Sequence, residues 1–376
     1  MLSSLPNNCY AVVLLTKAEK LNMETSKSKL KEVAGAVILV ILAAVILKNL
    51  YFNFMTFDRL AYFDGKSPAQ QTIGSNNQNP DSRIAINFPQ DEGEHQNLQT
   101  EWWYLAAHLE DEKDSANKFG ATLMFSKNPP QILFNLTDGV NQKNFSSVIK
   151  LDGFDLLGKD KLAIKKDDIY WLESGVFKYQ IHFKFEDIEI NLDLASLKKP
   201  FLFYNNTEAF YYEQTNIKVS GSLFLSDNHY QVKGVGWIDH QGFRTVLPWK
   251  SWRWYALQLD NNVEIVFTTD LVSQTGNFSE KKNLSIFKES ALQETVDSQK
   301  YTIKNLDFWQ DPKTKVQYPI KWQLEIPERN INLTATSIIP NQVIEGTGGV
   351  YEGTYQVTGT FEGQSVMGHA QFEFMP

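Results

Sequence analysis

The chain has 376 residues, enough for two ordinary domains beyond a terminal tail. Its formal net charge of −8 excludes a basic nucleic-acid-binding surface. The single cysteine, Cys9, lies in the tail, so the globular part holds no disulfide and no thiol nucleophile, while an aromatic content of 13% implies a large ring-rich core or a ring-lined pocket.

Val33 to Leu47 is an uninterrupted apolar run that resumes at Leu50, Tyr51, Phe52 and Phe54, and residues 33–54 reach the length of about 20 that a membrane span needs. Lys27, Lys29 and Lys31 precede the run, whereas only Lys48 and Arg59 follow closely. The positive-inside rule then places residues 1–32 in the cytoplasm and predicts an uncleaved, single-pass signal-anchor of an inner or plasma membrane, with the globular part on its periplasmic or extracytoplasmic side. The alternative is a buried core helix. Met23 opens a tidy Lys-rich segment and is a candidate true start. Residues 55–82, rich in Gln, Asn, Ser, Pro and Gly towards their end, read as a flexible tether.

A first module is expected over 83–245. Thr100 to Leu109 is strand-like, with Glu101, Trp103, Leu105 and Ala107 on one face and Trp102, Tyr104, Ala106 and His108 on the other. Both faces carry rings, so the strand is expected to be covered on both sides. Glu110 to Asn117 reads as a hairpin loop and Gly120 to Phe125 as the return strand. Further strands are predicted at Gln131–Leu136, Tyr170–Leu172, Val176–Phe185, Ile188–Leu194 and Asn216–Phe224, with another opening at His229. No amphipathic helix of useful length separates them, which predicts an all-β sandwich or barrel.

The last strand of this module carries Val235, Trp237 and Asp239 on one face and Gly236, Ile238 and His240 on the other. A carboxyl beside an indole loses water, and its pKa rises; an acid still protonated near neutral pH can donate a proton. Asp239 therefore either sits in an aromatic cavity as a general acid or ends a strand and caps a turn.

A second module is expected over 246–376. Trp254-Tyr255 followed by Leu259 parallels Trp103-Tyr104 followed by Leu109; Glu264 to Thr269 parallels the return strand; Tyr355 to Thr360 parallels Ile217 to Ser222. Echoes in the same order predict an internal duplication into two β-barrel-like modules. Asp239-His240 finds only Gly368-His369 as a counterpart, without an acid, so chemistry is expected on one side alone. His95 and His108 read as hydrogen-bonding residues; no ligand spacing predicts a metal site, and no Gly-x-Ser-x-Gly elbow predicts a serine hydrolase.

Gly93-x-His95, then Thr100-Glu101-Trp102-Trp103-Tyr104-Leu105, Tyr211-Tyr212 with Thr215-Asn216-Ile217-x-Val219-x-Gly221, Gly236-Trp237-Ile238-Asp239-His240 and the terminal Tyr351-Glu352-Gly353 together resemble the AttH and carotenoid 1,2-hydratase-like family. The resemblance covers about residues 83–376. It implies tandem lipocalin-like barrels and acid-catalysed water addition to, or hydrolysis of, an apolar isoprenoid or lipid, without metal or organic cofactor. It maps the proton donor onto Asp239, with Trp237 and His240 beside it, and implies that Trp103, Tyr104, Glu101, His95 and Tyr212 surround the substrate. Two stretches depart from the family's usual pattern: Gln241-Gly242-Phe243 stands where an acidic or aromatic pair is usual, and Glu213-Gln214 where Ser-Arg is usual. The second reading is a non-catalytic lipid-binding or carrier protein of the cell envelope. Both readings expect a hydrophobic small molecule and the membrane as partners.

Overall fold

The structure is a computed structural model that describes residues 84, 86–245, 252–269, 283–288 and 293–375. The expected tail, anchor at 33–54 and tether at 55–82 lie outside these residues. Among the described residues no helix is long and apolar enough to cross a membrane.

The described chain is all-β in class, with its strands in two antiparallel sheets. The first is built from β1 (Thr100–Asp111), β2 (Lys118–Lys127), β3 (Pro130–Asp138), β4 (Lys143–Lys150), β5 (Leu156–Leu157), β6 (Ala163–Lys166), β7 (Ile169–Gly175), β8 (Lys178–Phe185), β9 (Ile188–Ser196), β10 (Phe201–Asn205), β11 (Ala209–Leu225) and β12 (Asn228–Phe243). Its order is β4-β3-β2-β1-β12-β11-β9-β8-β7-β6-β5, with β10 on the flank of β11. The second holds β13 (Trp252–Leu259), β14 (Glu264–Thr269), β15 (Leu284–Phe287), β16 (Gln293–Val296), β17 (Thr302–Gln310), β18 (Gln317–Ile326), β19 (Ile331–Ser337), β20 (Tyr351–Phe361) and β21 (Gln364–Met375), in the order β16-β15-β14-β13-β21-β20-β19-β18-β17. Each sheet curls around its own apolar core, one containing Leu105, Leu123, Phe134, Trp171 and Ile190, the other Leu257, Ile286, Trp322, Leu333 and Phe372. The result is two half-barrels in tandem, the all-β duplicated architecture expected from the alternating strands.

The strand expected from Val176 begins instead at Lys178, because Phe177 turns the chain at a φ of 52°. β4 and β10 were not anticipated. β4 is polar and only partly buried, so it lacks the apolar alternation that marks a strand in sequence.

The ladders fix how the halves correspond. β1 lies between β2 and β12, as β13 lies between β14 and β21. Leu109 faces Gly234 and Leu259 faces Gly368. Counting back from these pairs, Trp102 corresponds to Trp252 and Tyr104 to Trp254. This is one residue away from the expected match of Trp103-Tyr104 with Trp254-Tyr255. A slip of one would turn every side chain to the wrong face, and Trp103 packs in the first core while Trp254 packs between the halves. The same register makes Glu373 the counterpart of Asp239, facing Trp254 as Asp239 faces Tyr104. The acid thought to be missing from the second half is present. Glu213, opposite Asp239, corresponds likewise to Glu352, opposite Glu373. The match is broken by an irregularity in β11 between Gln214 and Ile217 that β20 does not share.

Between the halves runs a third apolar cluster. Trp102, Tyr104, Ala106 and Trp237 from the first half interdigitate with Trp254, Ala256, Val266 and Phe287 from the second. Large residues alternate with Ala106 and Ala256, which lets the two sheets approach.

Gly221 and Gly359 occupy equivalent places, at φ of 157° and 152°. A Cβ there would lie 1.9 Å from the Asn191 carbonyl oxygen and 2.1 Å from that of Asn332, in the neighbouring strand. Gly221→Ala and Gly359→Ala should each cost about 2 kcal/mol or more, by strain and by parting the ladder. Urea unfolding of the two variants checks this; unchanged midpoints would refute it.

Candidate functional site

Strand alternation divides the expected site residues into two groups on opposite faces of one sheet. Trp103 and Glu101 on β1 and His240 on β12 point into the hollow of the first half-barrel. Trp102 and Tyr104 on β1, with Trp237 and Asp239 on β12, point to the seam between the halves. Asp239 therefore faces away from the hollow of its own module. Its enclosure is built jointly with the second half.

At the seam, Asp239 stands opposite Glu213 in the β11–β12 ladder, and Glu373 stands opposite Glu352 in the β20–β21 ladder. Each of these four carboxyls meets a ring donor. The Tyr104 hydroxyl donates to Glu352 Oε2 at 2.8 Å, and the Trp254 indole N–H donates to Glu213 Oε1 at 3.2 Å, so equivalent residues of the two halves cap each other's acids. The Trp102 indole lies beside Asp239 and the Trp252 indole beside Glu373, each drawing the carboxyl's pKa down, again at equivalent positions. The Tyr211 hydroxyl also donates to Glu213 Oε1, and Gln371 Nε2 donates to Glu352 Oε2 at 2.8 Å.

Burial dominates the electrostatics. It pushes Glu213 up to about 8 against hydrogen bonds from Tyr211 and Trp254, and Glu373 up to about 7 against Trp252. Burial, then the charges of Glu213 and Glu373, raise Asp239 well above the carboxylate range; burial and the Glu373 charge do the same to Glu352. Asp239 keeps some exposed surface as a residue, yet its Oδ1 is sealed and without a hydrogen-bond partner. Glu213 Oε2 and Trp237 Nε1 are sealed and unpartnered too; the Trp237 indole leans towards Glu213 without closing a hydrogen bond. Partly exposed rings rim this end of the seam. Phe203 stacks on Tyr211 at 5.0 Å, and Phe243 stacks on buried Trp102 at 5.5 Å.

In the hollow, Glu101 is the hub. Its Oε1 takes His240 Nε2 at 2.9 Å and His95 Nδ1 at 2.8 Å. The Tyr212 hydroxyl lies 3.0 Å from His240 Nδ1, Asp91 Oδ1 lies 3.5 Å from His95 Nε2, and Trp103 stacks on the His240 ring at 4.7 Å. Burial would raise Glu101, but the two imidazoles outweigh it and hold the carboxyl below its usual range. Burial takes His240 down to about 4, against Glu101, whereas Asp91 and Glu101 overcome burial at His95 and bring it to about 9. At neutral pH this is one imidazolium, one neutral imidazole and one carboxylate. Ligand atoms of His95, Glu101 and His240 all lie within 4.8 Å of one another, so this is the place among the described residues where a metal ion could be held. The hydrogen bonds account for the same convergence without one.

Deeper in the hollow, Glu92 is pushed up to about 8 by burial, against hydrogen bonds from Tyr179 and Gln214. A separate cleft of about 290 Å³ opens four residues further along β1, around His108 and His369, whose rings stack at 5.1 Å. It does not touch the seam acids. Glu92 and Glu373 were not singled out from sequence; Glu213 and Glu352 were noted there only as a departure from the family pattern and as part of a closing strand, not as site residues. The signal available was the Tyr-Glu dipeptide repeated as Tyr212-Glu213 and Tyr351-Glu352.

A model of the family described as AttH-like matches residues 79–370. A crystal structure of a putative AttH from Nitrosomonas europaea superposes with a TM-score of 0.65 at 19% identity, covering 78% of this chain and 97% of that one. Kievitone hydratase from Nectria haematococca superposes with a TM-score of 0.60 at 13% identity, covering 78% of this chain and 93% of that one. At these identities the likeness establishes the fold. No curated protein matches the chain in sequence.

The raised seam acids tie stability to pH. A carboxyl whose folded pKa exceeds its unfolded one binds more protons when folded, so its contribution is complete below about 4.5 and is lost as pH rises through the folded value. For Glu373 that window runs from the ordinary glutamate value of 4.5 to about 7. Glu373→Gln, neutral throughout, should shrink the stability lost between pH 4.5 and pH 8 by about 3 kcal/mol. Denaturant titrations at the two pH values measure this, and an unchanged difference would contradict the assignment.

Proposed function

The chain belongs to the AttH-like family, and from that premise we propose that it adds water across a carbon–carbon double bond of an apolar isoprenoid or other lipid, with Asp239 as the proton donor. The observation that carries this reading is the Asp239 carboxyl itself. Its Oδ1 is buried and unpaired at a seam lined by indole and phenol rings, and its pKa is held well above the carboxylate range. Such an acid is still protonated near neutral pH.

The chemistry is a proton transfer followed by capture. The Asp239 O–H bond breaks as the proton goes to one alkene carbon, leaving a carbocation at the other. Rings at the seam, Tyr104 directly opposite Asp239 with Trp102 and Trp237 two positions away on the same face, offer electron-rich faces to that charge, each worth about 0.5 to 2 kcal/mol. Water then forms the C–O bond and gives up a proton. The scheme needs neither metal nor organic cofactor. Trp103, Glu101, His95 and Tyr212, on the far face, serve it from behind by fixing His240 and hence the strand that carries Asp239. In the same reading, residues 33–54 anchor the protein in the inner or plasma membrane with the globular part on the extracytoplasmic side, where a lipid substrate reaches the seam. The name of kievitone hydratase, a protein of the same fold, is in keeping with hydration chemistry.

The full-length protein in detergent, incubated with geranylgeraniol in heavy-oxygen water, should give a labelled alcohol detectable by mass spectrometry. Asp239→Asn should lower the labelling rate by at least about 100-fold, the scale of a lost general acid. Full labelling by the Asn variant would remove Asp239 from the mechanism. A lipid that copurifies and stays unlabelled in both proteins would favour the carrier.

A further inference from the structure

The near-twofold relation between the halves makes their differences informative. Trp237, opposite Ala106, corresponds to Gln371, opposite Ala256. Gln371 Nε2 donates to Glu352 Oε2 of its own half at 2.8 Å and to Thr122 Oγ1 of the first half at 3.3 Å. The first half has no such plug. There Glu213 Oε1 already accepts from Tyr211 and Trp254, while Glu213 Oε2, Asp239 Oδ1 and Trp237 Nε1 are all buried without partners. The three belong to one patch of a single sheet face: Asp239 and Glu213 are direct cross-strand neighbours, and Trp237 is the next residue on that face of β12. Unmet buried polar atoms are costly and rare, so three at one spot mark a place made for something that satisfies them. An indole N–H and two carboxyl oxygens suit one water molecule.

We propose that Glu213 is a second catalytic residue, whose Oε2 takes the proton of the attacking water while the Trp237 N–H holds that water by its oxygen and Asp239 protonates the alkene. This rests on the hydration reading above. The step balances. Asp239 gives one proton to carbon, the water oxygen bonds to the cationic carbon, and Glu213 accepts the proton that water loses. Glu213 then returns a proton across the ladder to Asp239, which restores the starting pair. No oxidant, reductant or further reactant is consumed.

The reactive form has Asp239 protonated and Glu213 ionised. Burial holds Glu213 at about 8, and Asp239 is pushed well above its usual range by burial and then by the charges of Glu213 and Glu373. The titratable groups facing the pair are Tyr104, Tyr204, Tyr211, Glu352 and Glu373, none of them cationic. The rate should therefore climb towards about pH 8 as Glu213 loses its proton, and fall again once Asp239 ionises.

The test compares wild type, Glu213→Gln, Glu213→Asp and Asp239→Asn for geranylgeraniol hydration across pH, with infrared titration of the buried carboxyl bands alongside. Gln keeps an acceptor for Tyr211 and Trp254, so the seam should hold. The expected result is a loss of about 100-fold or more in Glu213→Gln, with the acidic limb near pH 8 abolished, partial recovery in Glu213→Asp, and an Asp239 carboxyl band that ionises at lower pH once its charged neighbour is gone. If Glu213→Gln keeps both the rate and the limb while Asp239→Asn is dead, Glu213 is not the base and the hydration reading survives. If Asp239→Asn is fully active, that reading itself falls. Should geranylgeraniol not be turned over, the infrared arm decides: an Asp239 titration unmoved by Glu213→Gln would show the two carboxyls to be independent and overturn the proposal.

Discussion

Four seam carboxyls, Glu213 and Glu352 buried, Asp239 and Glu373 partly so, are the constraint on which the arrangement of the two halves depends. Tyr104 caps Glu352 across the seam, and Trp254 caps Glu213 in the opposite direction. An acid taken from water into a ring-packed layer is expensive unless it is neutral and hydrogen-bonded. The seam raises the pKa of all four and hydrogen-bonds Glu352 Oε2 and Glu213 Oε1. Burial keeps the acids protonated, and the donors are fixed by strand register, so a register slip or a shifted half would leave several acids unmet. Apolar packing between Ala106, Ala256 and the surrounding indoles supplies attraction; the carboxyls make that attraction specific to one alignment.

The hollow of the first half-barrel obeys a different electrostatic rule. There a carboxylate is kept ionised, Glu101, by two imidazoles in different protonation states. His240 belongs to this group although it follows Asp239 directly in sequence. One strand thus carries a neutral acid on one face and the partner of an ionised one on the other. The two environments are separated only by the thickness of one sheet, and each depends on the same β1–β12 ladder.

Much of this was legible in the chain. The alternation of Glu101 to His108 gave the two faces of β1 correctly, and the divergence of Asp239 from His240 followed from the same period of two. The tandem duplication was visible through Ile217 to Ser222 and Tyr355 to Thr360, which are true equivalents in the ladders. Two things were not legible. The match of Trp103-Tyr104 with Trp254-Tyr255 followed residue identity, whereas the fold matches residues by the face they present, which placed the first strands out of step by one. That step hid Glu373 behind Asp239, since Ile-Asp-His and Phe-Glu-Phe share a direction in space and almost nothing in letters. The bulge in β11 hid Glu352 behind Glu213 in the same way. Nor could the sequence say which face of β12 met the second half, because that is decided by contacts between strands more than a hundred residues apart, as in the 248-residue separation of Tyr104 and Glu352.

The reciprocal capping has the geometry of an isologous dimer, in which position i of one subunit meets position j of the other and the reverse. Identical subunits must keep both contacts the same, because any replacement appears twice. Carrying the two copies in one polypeptide lifts that restriction. Tyr104 and Trp254 already differ, as do Trp237 and Gln371, so one copy is free to specialise as a buttress while its twin retains open valences, a division of labour closed to a homodimer.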